Sequence, residues 1–166
     1  MGSAIDGTPL LQLEDLATVR PLLPADRPAW LRLWAAYQAE GRQGAAPLPL
    51  AVTEACWDRL LAPQVPLHGL LLLLEGRAAG FAHLALHPHS ALRGCACWLQ
   101  DLFVEPARRG QGLGQLLLAA SRRRAEAAGA ERLYWHVAPG QAAAQRFCRD
   151  LSLPGRGALH SLSIGG

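Results

Sequence analysis

The 166-residue sequence predicts one α/β (α+β) layer structure, a mixed central sheet with helices on both faces. Three observations predict it. Short apolar runs bounded by turn residues, such as 70–74, alternate with stretches whose apolar residues recur at helical spacing. Read in order, the elements run β-α-α-β-β-β-α-β-α-β with no internal repeat. The length, with 51% hydrophobic and 17% charged residues, suits one domain with its own core.

Residues 1–13 show no clear periodicity and read as a loose leader, with a single domain over 14–166. Residues 16–22, containing Ala17-Thr18-Val19-Arg20, read as the first strand. Pro24-Ala25-Asp26 then opens a helix. Asp26 is its expected cap, Pro28 fits its first turn, and Trp30, Leu33, Trp34 and Tyr37 form its apolar stripe. A Gly/Pro-rich connection over 41–49 leads to a second helix, capped by Thr53 and running to about residue 61. There Cys56, Trp57 and Leu60 share helical spacing, and Pro63 and Pro66 end the helix.

The run 70–74 enters a tight turn at Glu75-Gly76-Arg77, and a partner strand follows over 78–86. A longer strand is expected over 95–104. The clearest helix, 113–128, carries Leu113, Leu116, Leu117, Ala120 and Ala127 on one face and Gly129 as its C-cap. A fifth strand over 133–137, a last helix over 141–151 and a terminal strand over 159–164 complete the expectation.

Composition excludes several classes. The net charge of +3 is small and the arginines are dispersed, so nucleic-acid binding is not expected. Arg122, Arg123 and Arg124 are the one dense basic run, and on a helix they fan around the axis into solvent. No apolar run approaches the roughly 20 residues of a membrane span. No basic segment followed by an apolar stretch opens the chain, so a cytoplasmic protein is expected. The 4 cysteines show neither paired-ligand nor disulfide-framework spacing and read as reduced thiols. His87-Pro88-His89 lacks a convincingly spaced third ligand, so no metal is expected.

The most informative stretch is Leu102-Phe103-Val104-Glu105-Pro106-Ala107-Arg108-Arg109-Gly110-Gln111-Gly112-Leu113-Gly114, a strand, a glycine-rich turn and a helix start. Glycines let successive N–H groups turn inward, and the first turn of a helix leaves several N–H groups unpaired. The helix dipole adds attraction for a phosphate. A P-loop needs a lysine, and this chain has none; a dinucleotide fingerprint needs a third glycine where Gln115 stands.

What remains, Arg109-x-x-Gly112-x-Gly114, resembles the (Arg/Gln)-x-x-Gly-x-(Gly/Ala) signature of the GNAT N-acetyltransferase superfamily. From about Val19 onward the chain looks like a member. Trp98-Leu99-Gln100-Asp101-Leu102-Phe103-Val104 is similar to the Tyr-Leu-Glu-Asp-Phe-Phe-Val of its diamine, histone and D-amino-acid acetyltransferase branch. Gly80-Phe81-Ala82-His83 and Leu133-Tyr134-Trp135 support that likeness.

The resemblance implies the GNAT fold, in which the fourth and fifth strands splay apart and the pantetheine arm of acetyl-CoA enters between them. Pantetheine would pair with the main chain of Leu102, Phe103 and Val104. The diphosphate would rest on the N–H groups of Arg109, Gly110, Gln111, Gly112, Leu113 and Gly114, with Gln115 at the edge. Gln141 and Ala144, in a motif reading Gln141-x-x-Ala144-x-x-Phe147-Cys148, would face the coenzyme. It further implies transfer of the acetyl group to a primary amine of a small molecule, and a homodimer. Two positions depart from the family: Cys148 replaces the tyrosine that protonates the leaving thiolate, and Gln100 replaces a carboxylate. A thiol, with an ordinary pKa of about 8.5 against about 10 for tyrosine, can serve as the acid or only pack. Glutamine cannot act as a base, which leaves open a catalytically weak acyl-CoA-binding domain; a protein lysine is the alternative acceptor.

Chemistry adds further candidates. Asp101, next to Gln100, is an alternative carboxylate. His83 is a candidate base because its strand should border the cleft, with His87 and His136 behind it. Gln100, Trp135 on the fifth strand and Trp34 on the first helix are candidates for the acceptor wall.

Overall fold

The computed structural model describes residues 16–41, 46–137 and 142–150. The chain divides into two units, Met1–Tyr134 and Trp135–Gly166. The first holds a sheet ordered β1 (Ala17–Pro21), β2 (Leu67–Leu74), β3 (Arg77–Pro88), β4 (Cys95–Val104) and β5 (Ala130–Tyr134). Neighbours are antiparallel as far as β4, and β5 lies parallel to β4. Helices α1 (Arg27–Gly41), α2 (Leu50–Leu61) and α3 (Leu113–Ala127) complete this unit, and α4 (Ala142–Asp150) belongs to the second.

Alternation along the strands builds two cores. Leu71, Phe81 and Phe103 join Trp30, Leu33 and Trp34 of α1 and Trp57 and Leu60 of α2 in one cluster. Leu70, Leu72, Ala82 and Leu84, which alternate with these, are buried on the opposite face, where α3 presents Leu113, Leu117 and Ala120. The β2–β3 hairpin closes through Glu75 and Gly76, with φ of 50° and 76°, the two left-handed residues that a type I′ turn requires.

Several boundaries differ from the sequence expectation. Asp26 does not cap α1 from the front. It ends a 3-10 turn, Pro24–Asp26, and its carboxylate reaches back to the Leu23 N–H at 2.7 Å and to Arg20. Thr53 is no cap either: α2 starts at Leu50, and buried Thr53 accepts the Trp34 indole N–H at 3.4 Å. β5 starts at Ala130, directly after left-handed Gly129 ends α3, so Trp135 lies beyond the strand. The leader and the expected terminal strand fall outside the described residues. Among the described residues no helix is long and apolar enough to cross a membrane.

Candidate active site

β4 and β5 pair from Cys95↔Ala130 to Trp98↔Tyr134, and among the described residues no strand follows β4 on that side beyond Trp98. Apart from Val104 O, which accepts the Arg109 Nε–H, main-chain groups of 99–104 on this edge have no strand partner among the described residues. At the far end of the edge, a 3-10 turn at Pro106–Arg108 leads into Gly110 and Gly112, with φ of 76° and 82°. Gly112 is the N-cap of α3, no side chain caps it, and the first helical bond runs from Leu116 N to Gly112 O at 3.1 Å. The N–H groups of Leu113, Gly114 and Gln115 thus lack helical partners at the positive end of the dipole. An open strand edge thus leads to a helix N-terminus that no side chain caps.

The Arg109 side chain is spent on fixing this turn. Its Nε donates to Val104 O at 2.9 Å and its guanidinium forks onto Glu40 of α1 at 2.9 and 2.6 Å, with the charge 5.6 Å from the Phe103 ring centre. One arginine thereby ties the end of β4, the turn and the last turn of α1 together. Gly80 is needed beside it, because a Cβ there would run into the main-chain oxygen of Phe103.

A polar chain crosses the face of the sheet under α1. The Tyr37 hydroxyl donates to Asp101 Oδ1 at 2.6 Å, and His83 Nδ1 lies 2.9 Å from Asp101 Oδ2. The Trp30 indole N–H lies 3.0 Å from His83 Nε2. Indole nitrogen can only donate, so Nε2 is the acceptor and the single imidazole proton sits on Nδ1, directed at the carboxylate. His83 is 1% exposed and its lone pair is taken, which removes it from the role of amine base. Burial, reinforced by Asp101, pushes the Tyr37 hydroxyl above its ordinary pKa of 10.0, so it stays a donor. Burial, and then Asp101, also push the Cys56 thiol up to about 11.

Gln100 owes its position to a bulge. His83 pairs with Asp101 and Leu84 with Leu99, so Gln100 is the extra residue of β4, and it is exposed. Trp34, a candidate for the acceptor wall, is 8% exposed, packed in the core and stacked on Trp30 with ring centres 5.5 Å apart. Trp135 and Cys148 both lie in the second unit, where the indole N–H donates to the Cys148 sulfur at 3.2 Å. Ala144 lies one turn before Cys148 on α4, and Gln141 is outside the described residues. A cavity of about 430 Å³ lies near the β2–β3 hairpin, lined in part by Arg32, Arg77, Glu105 and Arg108. It includes neither the open edge of β4 nor the N-terminus of α3.

Residues 30–152 match the model of the acetyltransferase (GNAT) family. The chain belongs to the GNAT family. It is an acyl-CoA-dependent N-acetyltransferase by that membership and by its likeness to the D-amino-acid N-acetyltransferase of Saccharomyces cerevisiae. The two are 32% identical over 129 residues, which cover 76% of this chain and 78% of the yeast protein. Solved GNAT structures share the fold. An aminoglycoside acetyltransferase from an uncultured soil metagenomic sample, in complex with sisomicin, superposes with a TM-score of 0.74 at 16% identity, covering 92% of this chain and 99% of that one. The aminoglycoside enzyme AAC(6')-Iy, bound to a CoA-containing bisubstrate analog, gives 0.71 at 19% identity, covering 90% and 99%. A ribosomal-protein-alanine N-acetyltransferase from Brucella melitensis gives 0.67 at 14% identity, covering 89% and 99%.

Within this GNAT domain the partners of the site side chains carry less sequence signal than the glycine-rich motif. In sequence Tyr37 belongs to the apolar stripe of α1, but a buried phenol needs an acceptor, and here it is Asp101. Glu40 and Trp30 carried no local signal, because their partners Arg109 and His83 lie 69 and 53 residues away in the chain.

Proposed function

We propose that this enzyme moves the acetyl group of acetyl-CoA to the primary amine of a small molecule by direct attack in a ternary complex. The observation that supports it most is the open edge of β4 leading to the uncapped N-terminus of α3. This cradle fits the cofactor: outward main-chain groups of Leu102 and Val104 would hold the pantetheine, and N–H groups from Gly110 to Gln115 the diphosphate, whereas Phe103 pairs with Phe81 and the Arg109 N–H, expected to join them, donates to Pro106 O at 3.3 Å. Gln141 and Ala144 are assigned to the same group by the motif alone. Acetyl-CoA supplies the activated acetyl thioester.

The remaining work falls to the chain. A main-chain N–H near Val104 polarises the carbonyl oxygen. Asp101, held by Tyr37 and His83, offers its remaining lone pairs to a cationic acceptor, and Gln100 at the bulge faces the same acceptor. Trp135 is assigned to the acceptor wall by its position directly after β5, and Cys148, standing where the family carries tyrosine, is by the motif alone the proton donor to the leaving thiolate. A small amine is preferred because the yeast relative acts on D-amino acids. The same reading includes a homodimer, which light scattering showing a monomer at micromolar concentration would remove.

Thiol release from acetyl-CoA, measured with D-amino acids, L-amino acids and linear diamines, tests the proposal. Turnover on at least one of these amines is expected. Acetyl-CoA binding without turnover on any of them, or turnover only on a lysine-containing protein, contradicts it.

A further inference from the structure

The acetyl-transfer reading leaves the proton of the attacking amine without a destination, since the His83 lone pair is held by Trp30. A second histidine has a different arrangement. His87 Nδ1 lies 2.8 Å from Pro88 O, and His87 Nε2 lies 2.7 Å from the Tyr134 hydroxyl. A carbonyl oxygen only accepts, so Nδ1 carries a proton, and in the neutral imidazole Nε2 is the acceptor. The Tyr134 hydroxyl must then donate to it. This is the hydroxyl–imidazole–acceptor order that activates a hydroxyl group elsewhere in enzymes.

Its place in the fold matters as much as its order. Tyr134 is the last residue of β5 and pairs with Trp98, so it stands where the two strands part. His83 and His87 are four residues apart on β3. The extra residue of the neighbouring bulge lies on β4, so the alternation of β3 is intact and both histidines face α1. Tyr134 therefore reaches across β4 on the same face as Asp101. It is half-buried, with its ring edge-on to His87 at 5.7 Å.

We infer that the Tyr134 oxygen takes the proton of the attacking amine while its own proton passes to His87 Nε2. This inference rests on the acetyl-transfer reading. The nitrogen–carbon bond forms and the carbon–sulfur bond of the thioester breaks. The amine proton moves to the Tyr134 oxygen, the phenolic proton moves to His87, and the sulfur leaves with the bonding pair. The sulfur takes its proton from Cys148, and water carries the proton away from His87 and restores the one Cys148 gave, so the products are an amide and a free thiol. Tyr134 is the catalytic residue of this path and His87 receives the proton through it.

Tyr134→Phe and His87→Gln test the pair, singly and together, with the best acceptor of the amine panel. Glutamine keeps an acceptor near the position of Nε2 but cannot take a proton. Each single variant is expected to lower kcat about 100-fold. The double variant should be no slower than either single one, and calorimetry should give the wild-type CoA affinity in all three. Nitrogen-15 NMR of the unliganded wild type should show His87 protonated at Nδ1 alone. Wild-type kcat in either variant, or a proton on Nε2, overturns the pair while leaving the acetyltransferase reading intact. A wild type that acetylates no amine overturns both.

Discussion

Alanine at Gly110 should weaken CoA binding without the help of any steric clash. Gly110 has a φ of 76° and nothing lies within 4 Å of a Cβ built there, so the substitution adds backbone strain alone. Holding an L-residue in the left-handed region costs about 1–2 kcal/mol. The loop escapes that strain by rotating its peptides out of the cradle, and the ligand must restore them. At about 1.4 kcal/mol per tenfold, the CoA dissociation constant should rise about 5- to 30-fold. Gly129 supplies the control: its φ is 81°, its Cβ would also meet nothing within 4 Å, and it ends α3 at the end opposite the cradle. Gly129→Ala carries the same strain, lowers Tm by about 2–8 °C, and should leave the CoA affinity as it was. Isothermal titration calorimetry with CoA compares the two. Equal CoA affinities for Gly110→Ala and Gly129→Ala would refute the assignment of the turn as the diphosphate cradle.

Three other outcomes follow from the same geometry. Asp101→Asn should raise KM for a cationic amine at least tenfold and leave the CoA affinity unchanged; an unchanged KM in steady-state kinetics removes Asp101 from the acceptor site. Trp34→Phe should lower Tm through the lost Thr53 hydrogen bond and lost packing, with KM for the amine unchanged; a KM effect without a Tm effect would put Trp34 back on the acceptor wall. Burial, and then Arg124, hold the His68 imidazole below its ordinary pKa of 6.5 in the fold, so the unfolded chain binds the proton first as pH falls. Denaturant titrations should thus show wild-type stability falling below about pH 6.5 more steeply than in His68→Gln. Parallel curves would contradict this.

Local patterns read well where the determinants are local. β4 ends at Val104 because Pro106 breaks it, and α3 begins at Leu113 because two left-handed glycines turn the chain into it, so this strand, turn and helix start are legible residue by residue. Thr53 looked like a helix cap, but its hydroxyl serves Trp34 inside the core, a choice made by packing between helices. β5 was expected three residues late, because its start is set by parallel pairing with Cys95–Trp98 and not by its own apolar run. The bulge at Gln100 had no sequence signal, since a bulge is a mismatch in count between two strands. The different hydrogen-bond partners of His83 and His87 have no sequence signal either. Both lie on one strand, and only the Trp30 indole and the Pro88 carbonyl decide which nitrogen of each carries the proton.

Backbone amide NMR during titration with acetyl-CoA addresses the cradle most directly. The largest shifts are predicted at Leu113, Gly114 and Gln115 and along Leu102, Phe103 and Val104. Saturable binding that leaves those amides in place and moves the ones around Arg32, Arg77 and Arg108 instead would contradict the account.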